Sequence, residues 1–164
     1  MLTLRNRGVW NQWAPLPLRL IIGCGFLVHG MAKWTRGPEG FGKLLHQIGV
    51  PFPEFTARMV TLLELFGGLA LLAGACVVVV SVPLAISMLV AMLKIHVHYG
   101  FSSINTIGLT PSGPAFGPPG YEVNLLYIAG LLVLCLCEPD PLSVDRWLTR
   151  RNLNLKQPSP ASVA

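Results

Sequence analysis

Residues 57 to 99 make one apolar block of 43 residues. Spanning ~30 Å of hydrocarbon takes about 20 mostly apolar residues, so the block is too long for one crossing and long enough for two. Ser81 and Pro83 lie near its middle. Serine caps helices and proline suits a first helical turn, so these two predict the turn between spans of about 57–80 and 82–99. Two further stretches qualify, at about 16–34 and 121–138, the last closed by Glu138, Pro139, Asp140 and Pro141. Four spans in one chain of 164 residues predict an all-α membrane protein, a single membrane domain over 1–164. Its expected architecture is a four-transmembrane-helix bundle, up-down-up-down. The charged fraction of 12%, against ~25% in soluble domains, and the mean hydropathy of +0.60 place that bundle in a lipid bilayer.

The net charge of +5 comes from Lys and Arg residues that are dispersed beside apolar runs, which argues against a nucleic-acid face. One side of the membrane receives Arg5, Arg7, Arg19, Arg146, Arg150, Arg151 and Lys156. The other receives Lys33, Arg36, Lys43, Arg58 and Lys94. The excess on the first side places both termini in the cytoplasm. The first run follows Arg5 and Arg7 as a signal peptide would, but it is long and has no small-residue cleavage site, so it reads as an uncleaved span. Arg19 and Lys33, near its ends, are expected to snorkel to the headgroups.

Between spans 1 and 2, Phe41, Leu44, Leu45 and Ile48 recur at helical spacing beside Lys43, His46 and Gln47. That pattern fits a short interfacial amphipathic helix or an ordinary connecting helix. Residues 100–120 contain five Gly, four Pro and no charge, a long loop expected to fold over the bundle mouth. Residues 1–14 and 152–164 read as tails.

Charged side chains inside spans are costly and mark candidate sites. In an up-down bundle the end of span 1, the start of span 2, the end of span 3 and the start of span 4 share one membrane face. His29 and Lys33 are i, i+4 on span 1, and Lys94 and His98 repeat that relation on span 3. Glu64 lies inside span 2, and Asn124 opens span 4 beside Tyr121 and Glu122. The polar cluster is therefore His29, Lys33, Glu64, Lys94, His98 and Asn124. Stepping along span 2 from Glu64 meets Gly67 or Gly68, Leu71, then Gly74 or Ala75, a small-residue face of the kind that marks close helix contact in membranes. Glu64 is thus expected to face inward and to need Lys33, Lys94 or a histidine as partner.

Several readings of this cluster stand side by side. It is a structural ion-pair network that fixes helix register, or a site for a quinone head group, a polar substrate or a proton relay. A third reading makes the chain a small-anion carrier with Lys33 and Lys94 as counter-charges. Haem held by His29 and His98 ranks below these, and so does a metal site, since His96 and His98 diverge on a helix. Cys24, Cys76, Cys135 and Cys137 lie within apolar runs without CxxC spacing and read as small hydrophobes.

The run RLIIGCGFLVHGMAKW, then GFGKLLHQIGVPFPEF, then LLELFGGLALLAG, and the His-containing end of span 3 before Gly100 and Phe101 together resemble the DoxX family of small, mostly bacterial four-helix membrane proteins. The matching positions are His29 with Gly30 and Lys33, the turn from Gly49 to Pro51, and Glu64 with Gly67 and Gly68. Lys94, the paired His96 and His98, and the long Gly/Pro loop depart from the pattern. The resemblance implies the bacterial cytoplasmic membrane and redox company. It points to quinone-linked complexes with oxidoreductase partners, and to an accessory subunit over a stand-alone enzyme, the alternative being a purely structural or anchoring subunit.

Overall fold

The computed structural model of the chain describes residues 11–156. In order it contains α1 (Pro15–Arg36), α2 (Pro38–Gln47), α3 (Pro53–Ala73), α4 (Val77–Lys94), a 3-10 turn (His96–Tyr99), β1 (Thr106–Thr110), β2 (Gly113–Phe116), α5 (Glu122–Leu136) and α6 (Val144–Lys156). Proline starts α1, α2 and α3, where a missing N–H costs no helical bond. Helices α1, α3 and α4 are long and apolar enough to cross a membrane. The fourth member of the bundle, α5, has 15 residues and at a rise of ~1.5 Å per residue covers about 22 Å. That shortfall is of the kind a bilayer meets by local thinning.

Ile22 and Phe26 of α1, Leu71 of α3, Leu84 of α4 and Leu131 and Leu134 of α5 make the buried core. Ile21, Val28, Phe66, Val79 and Leu126 point outward, as they must where lipid replaces water as the neighbour. Helix α2 packs on α3 and buries Leu45 there, while Leu44 of the same helix is exposed.

The turn between the second and third spans differs from the sequence expectation. It occupies residues 74–76, not Ser81 and Pro83, which lie inside α4. Gly74 ends α3 in the left-handed region at φ 67°, and the Ala75 amide donates back to the Ala70 carbonyl at 2.9 Å, the closure glycine permits after a last helical residue. The turn is then held from outside. Cys76 also has a positive φ of 51°, and its amide donates to Asp145 Oδ1 at 2.8 Å while the Val77 amide donates to Oδ2 at 3.0 Å. A carboxylate 68 residues downstream of Val77 thus caps α4, a partner no local pattern reveals. Asp145→Ala is expected to lower stability by about 1 kcal/mol, measured as the unfolding midpoint in mixed detergent; an unchanged midpoint would show the cap to be dispensable.

Two other elements depart from the sequence reading. The Gly/Pro-rich loop contains an antiparallel hairpin, β1 with β2, bulged between Thr106 and Gly108. Its base is tied to α5 by Glu122, whose carboxylate accepts from the Ser103 amide at 2.9 Å and hydroxyl at 2.7 Å. Residues 152–156, expected to belong to a tail, are the last turn of α6. Arg5, Arg7 and residues 157–164 lie outside the described residues.

Candidate functional site

The candidate site begins with how closely two helices approach. The buried face of α3 runs Ala57, Thr61, Glu64, Gly67, Gly68, Leu71, steps of three and four that share one side of a helix. A Cβ on Gly68 would stand 2.7 Å from the Leu27 amide nitrogen and 2.9 Å from the Gly23 carbonyl oxygen of α1. One on Gly30 would stand 2.8 Å from the Leu65 nitrogen. Backbone therefore meets backbone, which only glycine on both helices allows.

That approach places Lys33 beside Glu64. The Lys33 ammonium donates to both carboxylate oxygens and lies 4.8 Å from the centre of the Phe41 ring of α2, a cation–π contact. The two partners differ in access, the Glu64 side chain being 3% exposed and that of Lys33 24%. One turn before Glu64, Thr61 is buried and donates its hydroxyl to the Ala57 carbonyl at 2.8 Å.

The remaining cluster residues are not joined to this pair by any hydrogen bond or ion pair among the described residues. His29 is exposed and its ring stands edge-on to Tyr127 at 6.5 Å, while Tyr127 in turn meets Phe26 at 5.2 Å. Asn124 is buried on α5 and donates to the Met88 carbonyl of α4 at 3.4 Å. Lys94 and His98 are exposed. The α4 helix stops at Ile95, so His96 and His98 belong to a 3-10 turn instead of the helix expected for them, and His96 Nδ1 pairs with the Pro119 carbonyl at 2.9 Å. Among the described residues no three His, Cys, Asp or Glu side chains gather as metal ligands would.

The opposite end of the bundle carries a second polar centre that the sequence reading missed. Arg19, expected to snorkel, is 3% exposed. Its guanidinium forks onto Asp140, Nε to Oδ2 at 2.9 Å and Nη2 to Oδ1 at 3.2 Å. Its Nη1 donates to the Leu71 and Leu72 carbonyls at 2.7 and 2.6 Å; the Leu71 carbonyl also accepts the Gly74 amide at 3.0 Å, while that of Leu72 is an acceptor left open where α3 ends. Asp140 also accepts the Leu142 amide, and its backbone carbonyl accepts the Ser143 hydroxyl at 2.7 Å. The available signal was an arginine in an apolar run with a carboxylate closing another span; a charge in that position needs a partner.

The fold and these two centres define a small four-helix integral membrane protein with an ion pair clamping each end of its bundle. It belongs to the DoxX family, whose model matches residues 14–97. A Bacillus subtilis (strain 168) protein named "Putative oxidoreductase CatD" is 33% identical over 86 residues, which is 52% of this chain and 62% of that protein. The chain thus spans less than two thirds of the relative it matches. No solved structure matches it significantly. The matched stretch contains both helices of the Lys33–Glu64 pair and ends before α5, Asp140 and α6.

Proposed function

We propose that this chain is an integral membrane subunit of a redox complex in the bacterial inner membrane, with both termini cytoplasmic. In this reading the Lys33 end of the bundle holds the head group of a quinone or a similarly small polar ligand. The observation that supports it is the unequal access of the two charges: Glu64 is fixed inside the bundle while Lys33 stays a quarter exposed. An ammonium has three donor hydrogens, and two reach Glu64, so one remains for a ligand carbonyl. His29, exposed one helical turn away, offers a second polar group. A quinone accepts hydrogen bonds at its two carbonyls and takes up protons when reduced; Lys33 and His29 are the groups that would orient it. The name of the Bacillus subtilis relative agrees with redox company.

A second reading makes the pair purely structural, and the complete use of both Glu64 oxygens by Lys33 favours it. Gentle purification from native membrane separates the two. The redox reading expects copurifying oxidoreductase subunits and extractable quinone, with quinone reduced several-fold in His29→Ala at an unchanged unfolding midpoint. A lone, quinone-free protein would leave the structural reading standing and end the first.

A further inference from the structure

The segment after α5 holds three acids and four bases, Glu138, Asp140 and Asp145 against Arg146, Arg150, Arg151 and Lys156. Glu138, before α6, is exposed, whereas Asp140 and Asp145 turn inward. Asp140 is spent on Arg19 and Asp145 on the amides that start α4. The outward side of α6 is thereby left basic. Arg150 and Arg151 are exposed and have no acidic partner among the described residues, and the Arg151 guanidinium lies 5.5 Å from the Trp147 ring centre. Arg146 is engaged elsewhere, with the Pro139 carbonyl and the Gln12 side chain. Beside these bases, Val144, Trp147, Leu148 and Leu153 are exposed.

Position decides what meets this surface. Asp145 bonds Cys76 and Val77, the first residues of a membrane span, and its own amide donates to the Gly74 carbonyl at 2.9 Å. Helix α6 therefore starts at the level where spans leave the hydrocarbon, which is the headgroup layer. A predominantly polar helix with arginines beside tryptophan and leucine lies in that layer when anionic lipid is present. We propose that α6 is a docking helix for anionic phospholipid headgroups of the surrounding leaflet, with Arg150 and Arg151 binding phosphate and Trp147 and Leu148 seated at the acyl boundary. Because α6 is tied through Asp145 to the start of α4 and through Ser143 and Asp140 to Arg19, bound lipid stabilises the whole bundle.

The test uses the full chain in nanodiscs of phosphatidylcholine alone and of phosphatidylcholine with phosphatidylglycerol. Phosphatidylglycerol is expected to raise the unfolding midpoint, and the rise is expected to shrink at high salt. Native mass spectrometry is expected to show phosphatidylglycerol retained on the protein, with each of Arg150→Gln and Arg151→Gln weakening retention roughly fivefold. The double replacement by lysine keeps the charge and is expected to keep most of the effect, while midpoints in pure phosphatidylcholine stay at wild type for all variants. Equal midpoints in the two lipids for the wild type would overturn the proposal. Retention unaffected by the Gln variants would overturn it too, as would an arginine-dependent docking of a copurifying protein in place of lipid.

Discussion

Arg19→Met is expected to destabilise the protein by about 3 to 5 kcal/mol, the cost of removing one partner from a buried ion pair. The replacement has nearly the right length and fits an apolar surround, so what it loses is specific. Asp140, 1% exposed, loses the guanidinium that donates to both its oxygens. The Leu72 carbonyl at the end of α3 loses its donor, and the Leu71 carbonyl is left with the Gly74 amide alone. Arg19→Lys is expected to recover little, because one ammonium cannot serve a bidentate carboxylate and two carbonyls from a planar fork. Pairing Arg19→Met with Asp140→Leu is expected to restore part of the loss by removing the orphaned charge, and to leave the carbonyl deficit. Equilibrium unfolding in mixed detergent micelles measures all three, and an Arg19→Met variant within about 1 kcal/mol of wild type would refute the clamp.

The second large effect is asymmetric. Lys33→Met is expected to cost about 3 kcal/mol, at the low end for a buried pair because Lys33 is a quarter exposed. Glu64→Gln is expected to cost less, about 1 kcal/mol, since the freed lysine can extend to the headgroups while a freed Glu64 cannot leave the α1–α3 contact. A double-mutant cycle is expected to return a coupling of at least about 1 kcal/mol between them. Equal costs for the two single variants would mean that Glu64 also reaches water, contrary to its burial.

The spans and the α1–α3 contact were legible because their signals are local. Apolar runs of bilayer length announced the helices, and the spacing of Glu64, Gly67 and Gly68 announced one face. Lys33 was named among three kinds of partner for Glu64, and choosing among them required the glycine contact that sets the register of α1 against α3. Ser81 and Pro83 misled because proline is tolerated inside an apolar helix, where neighbouring groups absorb the missing bond; the residue that ends α3 is Gly74. The i, i+4 spacing joined His29 to Lys33 and Lys94 to His98, but these pairs and Asn124 were brought to Glu64 by depth alone. Depth along a helix says nothing about which way a side chain turns, and the structure spreads them over lipid-facing, loop and α4–α5 positions.

What the sequence determined by itself is therefore the class: a helical membrane protein with these spans and the DoxX motifs, because hydrophobic length and small-residue spacing act through neighbours in the chain. What only the tertiary structure decided is where the charges go. Arg19 meets Asp140 across 121 residues, and Asp145 caps a helix that starts 68 residues before it. Such pairs arise because a bilayer leaves no water to satisfy a buried charge or an open helix end, so each must find its partner wherever the packed bundle brings one.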